Sequence, residues 1–574
     1  MNRLLPILCL SLATLGLTRP VFAAQASDPR LNDAKRILAL AADAASNMQP
    51  SQLRSTALKQ IAQEYLRLSD EKAAERAASA LPGGIERDAA LREVVLARVS
   101  RGDESAARRW AEDHPDDGDL MLYSLSVRQA QSGDLAGAKR TAAGITDSLG
   151  RDATQVQIAL AHGRAGQFDQ AMQCAEKIKE KETRALVLLG LAAAQRTRGD
   201  LAAAAGLCKS VAKLVASLDR ERKPLLMMEL AVEVAREGDF PEALRIAGGI
   251  RDIEPQRVRA GSTLLYSNGI YGLKERVLCQ IALEQARAGR IEDALGTAAG
   301  VRDVEAKTVQ IGNATMMGKG FYGGRAAVTC RIAQFKIGTG DLAAGAQIIE
   351  QIPSVTELDR EYRIEALLSL GTAQAMAAKK EAAHATFALA LSAVAGKPSE
   401  TVPLLIRIGR AQGAAGDAEA AVRTFNRALE RASTEEDSER ARLLVRLASA
   451  ALERDRALGI RILELAAQAA RECSSAGLRN YYLGDVASEW IAVGEVEKAL
   501  ALVSAALADS RPGLLANLAQ RQAQKGLFRE ALPWAEARSN LDEKAFALLG
   551  IAQGLVRLLL PEPPRVVDWE WQLQ

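Results

Sequence analysis

Three histidines, His114, His162 and His384, are the residues best suited to move a proton near neutral pH, and they lie far apart in a chain of 574 residues. No serine, cysteine or acid recurs beside them in a triad-like arrangement. His162 and His384 fall on helix-packing positions, so structural roles are expected. The densest acidic cluster, Asp113 to Asp119, partly imitates a calcium loop through Asp113, Asp117 and Gly118. Pro115 takes a ligand place, however, and Ser124 stands where the closing glutamate belongs. The cluster reads as a solvated turn. Gly312 to Lys319 briefly imitates a phosphate loop, but the spacing is one residue too long, Gly320 replaces the Ser or Thr, and no strand is predicted before it. Glu435, Glu436 and Asp437 read as solvated charge in a polar loop. These residues predict no catalytic centre, no metal site and no cofactor.

Cysteine adds little chemistry. Beyond Cys9, the chain has Cys174, Cys208, Cys279, Cys330 and Cys473, widely spaced and without a CxxC. That pattern supports neither a zinc site nor a disulfide framework; small buried apolar residues are the expectation. Cys279 and Cys330 take equivalent positions one repeat apart. Packed helix axes lie roughly 8–10 Å apart, beyond the usual disulfide reach of about 7 Å, so both are expected as free thiols.

One stretch is built for more than packing. Residues 251–282 align without a gap on residues 302–333. Asp252 meets Asp303, Glu254 meets Glu305, Gly269 meets Gly320, Tyr271 meets Tyr322, Gly272 meets Gly323 and Cys279 meets Cys330. The duplicated inserts lie near 251–276 and 302–327. Their Gly-rich stretches, Asn268–Gly272 and Gly320–Gly324, read as turns or loops. Long loops on a rigid scaffold often bind. Tyr271, Tyr322, Phe321, Asn268, Glu254 and Glu305 are therefore the candidate binding residues, against the plainer reading of one tolerated loop copied with its repeat.

Around the inserts the chain repeats a phrase: an apolar run, a Gly-Asp style break, and an Ala-rich run. The break falls at Ser69-Asp70, Gly102-Asp103, Gly133-Asp134, Gly166-Gln167, Gly199-Asp200, Gly238-Asp239, Gly289-Arg290, Gly340-Asp341, Ala378-Lys379, Gly416-Asp417, Asp455-Arg456, Gly494-Glu495 and Gly526-Leu527. Most spacings are in the thirties, and the two that span an insert are both 51. Such a period signals stacked helix pairs. The glycine ends one helix in the left-handed conformation, the aspartate caps the next, and an alanine five residues after the glycine fills the close crossing. Few runs alternate at period two, so strands have little support. The prediction is an all-α solenoid of about twelve or thirteen antiparallel helix pairs over residues 27–557, with residues 31–47 as a capping helix.

Leu405, Ile408, Gly409, Gly416, Asp417, Ala421, Phe425 and Ala428 carry a resemblance to the tetratricopeptide repeat family. So do Val486, Ala487, Trp490, Gly494, Ala499, Val503 and Ala506. The resemblance covers roughly residues 50–555, with several degenerate units. It implies a right-handed superhelix whose concave groove holds a peptide or protein, and no catalytic residues.

The ends complete the reading. Arg3, the apolar run Leu4–Leu17 and Ala-x-Ala-like sites up to Ala26 predict a signal peptide over residues 1–26, hence an exported, periplasmic or secreted protein. The run is shorter than the ~20 residues of a spanning helix, and no later segment is predicted to cross a membrane. Loss of residues 1–23 removes Arg3 and Arg19 and no acid, taking the formal charge from +3 to +1. Charges are mixed along the chain, without the basic footprint of a nucleic-acid binder. Residues 558–574, with Pro561, Pro563, Pro564, Trp569 and Trp571, read as a loosely ordered tail. The function expected is a non-catalytic scaffold for a protein or peptide. The alternatives are a helical-toroid or superhelical enzyme of cell-wall or polysaccharide metabolism, and a purely structural spacer.

Overall fold

A computed structural model describes residues 28–219, 223–260, 263–311 and 314–560. The predicted signal peptide and the Trp569/Trp571 region lie outside the described residues. The described residues are 76% helical, with 28 helices among them, so the all-α repeat architecture is what forms. The strands among the described residues are four short ones, all in the inserts.

The chain divides into two compact units. One spans Ala111–Val394. Its helix pairs are α6 (Pro115–Ser132) with α7 (Leu135–Ala143), α8 (Ser148–Arg164) with α9 (Phe168–Glu176), and α10 (Lys181–Thr197) with α11 (Leu201–Ala216). There follow α12 (Lys223–Arg236) with α13 (Phe240–Gly248), α14 (Leu273–Arg287) with α15 (Ile291–Ala299), α16 (Gly324–Gly338) with α17 (Leu342–Glu350), and α18 (Glu357–Met376) with α19 (Lys380–Ser392).

The second unit joins the described residues up to Trp110 with those from Ala395 onward. It holds α1 (Pro29–Ser46), α2 (Gln52–Arg67) with α3 (Glu71–Ser79), α4 (Ile85–Ser100) and the start of α5 (Glu104–Asp113). From the C-terminal side come α20 (Pro398–Ala414) with α21 (Ala418–Ala432), and α22 (Asp437–Leu452) with α23 (Arg456–Glu472). Then follow α24 (Ala476–Ala492) with α25 (Val496–Ser504), α26 (Arg511–Gln524) with α27 (Phe528–Glu536), and α28 (Leu541–Leu559).

The break phrase works as its chemistry requires. Ten break glycines, from Gly102 to Gly526, take a positive φ. Ser69 and Ala378 adopt the same conformation at φ 58° without being glycine, at a cost of about 1 kcal/mol each. Asp455 is extended instead, at φ −138°. Asp70, Asp103, Asp134, Asp200, Asp239, Asp341, Asp417 and Asp455 each accept a backbone N–H three residues on. That bond satisfies an orphan donor of the next helix. Ala171, Ala204, Ala243, Ala294, Ala421, Ala499 and Ala531 are fully buried. Each fills the crossing of its pair, where a larger side chain would force the helices apart.

The capping helix has a larger part than covering the first pair. α28 is apolar all round, with Ala545, Phe546, Leu548, Leu549, Ile551 and Leu555 buried, so it needs neighbours on every side. It packs on α26, where Gly550 and Gly554 let it approach the backbone of Ala516 and Gln520. Its other flank packs on α1 through that helix's Ile37, Leu38, Ala41 and Ala45 face. α28 and α1 thus make a composite pair, its two helices drawn from opposite ends of the chain. This pair adds to the thirteen breaks read from the sequence.

Candidate binding site: the paired inserts

Three consecutive links of the first unit, each joining the second helix of one pair to the first helix of the next, bear on the site. They run over residues 249–272, 300–323 and 351–356. The first two carry the inserts, and both fold as β-hairpins rather than the loops expected. β1 (Gln256–Ala260) pairs antiparallel with β2 (Thr263–Ser267), and β3 (Thr308–Ile311) with β4 (Ala314–Met317). The Gly-rich stretches are not the tips; they are the returning legs. A hairpin signal was present in the sequence at Gly261-Ser262 and Gly312-Asn313, dipeptides of a composition that favours hairpins. The strands are too short to show clear alternation. The phosphate-loop imitation does follow a strand, β3, but β4 (Ala314–Met317) lies within it, and the next helix opens only at Gly324.

The roots of the two inserts are built alike. Asp252 Oδ1 accepts the Gly272 and Leu273 N–H groups at 2.8 and 3.2 Å, at the start of α14. Asp303 Oδ1 accepts the Gly323 N–H at 2.8 Å, at the start of α16. Both glycines are left-handed, at φ 77° and 65°. Ile253 bridges Ile270 in the first insert, and Val304 bridges Phe321 in the second. The shared Asp, Gly and apolar residues therefore fold each insert back onto the helix that follows.

The inserts also hold each other. Ile270 and Lys319 form a parallel bridge. The Tyr271 N–H donates to the Lys319 carbonyl at 3.1 Å, and the Lys319 N–H donates to the Gly269 carbonyl at 3.2 Å. The Tyr271 ring lies over Gly318, where a Cβ would come within 2.3 Å of it. Lys307 Nζ sits 4.8 Å from the centre of that ring and 3.8 Å from Glu254 Oε1. Below, Gly272 admits Phe321, whose ring lies 5.0 Å from the Arg276 guanidinium. Arg276 also reaches the Gly320 carbonyl at 3.4 Å.

The six candidate residues therefore separate. Tyr271 is 0% exposed and Phe321 is buried; they are posts inside the junction. Glu254, Glu305 and Asn268 are exposed, and Tyr322 is 50% exposed. The tyrosines do not converge on a shared cavity. Tyr271 donates its hydroxyl to Glu254 Oε2 at 2.7 Å. Burial pushes its phenol up to about 12, and that hydrogen bond and the Glu254 and Asp252 charges act in the same direction. The Tyr322 hydroxyl instead accepts the Ala306 N–H at 2.8 Å. The first insert has Pro255 at the matching place, which lacks that donor. Sequence reasoning missed Met317, 68% exposed on β4, and Gly318, whose missing side chain makes room for Tyr271.

Among the other groups singled out by the sequence, His384 is exposed on α19 and not at the packing position expected of it. Asp119 is pushed up by burial but pulled lower overall by bonds from the Thr146 N–H, the Thr146 hydroxyl and the Asp147 N–H. It ties the link after α7 back to α6. The buried His162 ring meets Gln167 Oε1 through Nδ1 at 2.8 Å. All five described cysteines are buried, and none of them is in a disulfide. Cys279 donates to the Gly324 carbonyl at 3.6 Å, and burial pushes its thiol up to about 12. Cys208 donates to Glu237 at 3.1 Å and is raised further, by burial first. Raised thiols are poor nucleophiles near neutrality.

A further feature was not legible beforehand. Ion pairs link successive first helices: Arg196 on α10 to Glu233 on α12 at 2.8 Å, and Arg236 on α12 to Glu284 on α14 at 3.4 Å. Arg287 closes the run on Glu284 at 2.7 Å.

No protein-family model matches the chain, and no curated protein matches it. Among solved structures, the chain is similar to one of Naa15/Naa10 bound to HypK-THB, at 11% identity, covering 91% of this chain and 80% of that one, with a TM-score of 0.33. It is similar to the APC/C hetero-tetramer Cut9-Hcn1 at 10% identity, covering 82% and 95%, with a TM-score of 0.21. It is similar to Ton1535 from Thermococcus onnurineus NA1 at 14% identity, covering 69% and 99%, with a TM-score of 0.20. Likeness at this level carries no functional information.

Proposed function

We propose that the chain is a non-catalytic scaffold that holds a protein or peptide, with the paired inserts as a principal contact. The observation that supports this is the junction itself. Two hairpins from neighbouring repeats are locked together at their roots by backbone bonds, so their exposed groups are held in a fixed relation. Tyr322, Met317, Asn268, Glu254 and Glu305 are the exposed groups of this surface. A rigid presentation lowers the ordering cost of binding. The ion-paired first helices offer a second, polar surface for the same partner, in keeping with the groove that the repeat resemblance implies.

The test is partner recovery from the native source by tagged protein, comparing the intact chain with a variant carrying Asn268→Ala, Met317→Ala and Tyr322→Ala. All three residues are exposed, so circular dichroism should show an unchanged helix content. Recovery of one defined partner should fall at least about tenfold. Unchanged recovery would remove the inserts from the binding surface and leave the first helices of the repeats as the contact. Export belongs to the same proposal and rests on Arg3, the Leu4–Leu17 run and the Ala-x-Ala-like sites. N-terminal sequencing of the mature protein should begin after Ala23 or Ala26.

A further inference from the structure

The second insert stands in a different position from the first: nothing like it comes next. The first insert is covered by the second, which supplies Gly318 beneath the Tyr271 ring and the Lys319 backbone for two hydrogen bonds. The link that follows the second insert is only residues 351–356. Its Val355 is 86% exposed. Three residues on, Leu358 packs against Gly323 at the root of the second insert, as Phe321 packs against Gly272 at the root of the first. The next repeat thus meets the second insert at its root and supplies no hairpin to cover Tyr322.

We infer that the Tyr322 face of the second insert is the docking place for an extended segment of a partner protein, which takes the position of a third insert. This rests on the scaffold reading and gives it a ligand chemistry. The chain's own junction shows what fits: a short extended strand with a glycine under the tyrosine ring and a free backbone beside it. Main-chain bonds would provide affinity and the ring would select for glycine, as in strand addition to an open edge. Tyr322 now rests on its own insert through the Ala306 N–H. Receiving the segment requires the ring to leave that bond and its contact with Gly320, and to turn onto the incoming glycine as the Tyr271 ring lies over Gly318.

A second copy of this chain is the obvious rival occupant, since a first insert could in principle follow a second. The sequence opposes it. The first insert has Ser267 where the second has Gly318. A Cβ at Gly318 would lie 2.3 Å from the Tyr271 ring, far inside contact distance, and Ser267 would bring that Cβ to Tyr322. Such a steric block guards against head-to-tail chains.

The probe is a labelled cyclic peptide of residues 307–322, which preserves the β3–β4 hairpin and its Gly318. Fluorescence anisotropy should show saturable binding to the full chain. Binding should weaken at least tenfold with Tyr322→Ala protein, and likewise with a peptide carrying Gly318→Val. The Tyr322→Ala change leaves Tyr271 and its ring in place, so its effect separates the Tyr322 site from displacement of the resident second insert. Absence of binding to the native chain, or binding insensitive to both changes, overturns the inference. If the Asn268, Met317 and Tyr322 triple variant still loses its natural partner in that case, the scaffold reading stands and only the ligand chemistry fails. Self-association of the native chain in sedimentation, abolished by Tyr322→Ala, would also overturn it by naming a second copy as the occupant.

Discussion

The two inserts begin from nearly the same instructions and end in different states. Asp252 and Asp303 hold the start of the following helix in the same way, and the left-handed Gly272 and Gly323 make the same turn. The tyrosines one residue before those glycines do not share a fate. Tyr271 is sealed against the next insert, whereas Tyr322 is half exposed because the next link is short. Local geometry repeats with local sequence. Burial is decided by the neighbour, and the neighbours of a copied element differ at the end of the copied run. The residue that admits Tyr271, Gly318, is one of the places where the copies diverge.

The comparison breaks most sharply at the tyrosines. Tyr271→Ala should cost about 3 kcal/mol or more, because it empties a packed site. Tyr322→Ala should cost under about 1 kcal/mol, since half its surface is already in water and one hydrogen bond is lost. Unfolding of a repeat array need not be two-state. The reading is therefore hydrogen exchange of the first-turn amides of α14 and α16, with protection lost in the first variant and kept in the second. Equal losses would mean that the inserts are energetically alike.

Gly318→Ala should cost about 1–3 kcal/mol through the overpacked Tyr271 ring. Much of that cost should vanish in a Tyr271→Ala background, and a double-mutant cycle with no coupling would place the strain elsewhere.

Asp252→Ala and Asp303→Ala sharpen the other half of the comparison. Each removes the acceptor for helix-start N–H groups and should cost about 1 kcal/mol. The two effects should agree within about 0.5 kcal/mol in thermal or denaturant midpoints of matched variants. A large disparity would show that the shared root is not shared in energy.

The smallest effect is a pH dependence. The Tyr271 phenol is raised from 10 to about 12 in the folded chain. Its contribution is fully present below about pH 10 and is lost as pH rises towards about 12. Protection of the α14 start should fall across that window. Tyr271→Phe, which forfeits the Glu254 bond for about 1 kcal/mol, should flatten the part of the fall that belongs to this group. An unchanged slope would assign it to other residues.

Much of this was legible in the residues. The break glycines, the capping aspartates and the fully buried alanines follow from helix geometry alone, which acts over four or five positions. The legible part of the candidate site was its location and its exposed acids. What misled was the Gly-rich composition of 268–272 and 320–324, which suits a turn but here supplies close backbone approach between legs. Pattern reasoning also gave Tyr271 and Tyr322 one role because they align. The apolar character of Leu548, Leu549 and Ile551 pointed to burial without saying against what; the answer, α1, lies some five hundred residues away in sequence.

The sequence by itself determined the repeat, the helix ends, the close crossings and the doubled insert, because each depends on residues within a few positions of one another. The tertiary structure decided which helix completes α28, that the inserts pair as hairpins, and which tyrosine is buried. Those outcomes depend on how far neighbouring elements reach. A glycine at 318, a proline at 255 and a link of six residues at 351–356 change what lies next to an otherwise repeated side chain.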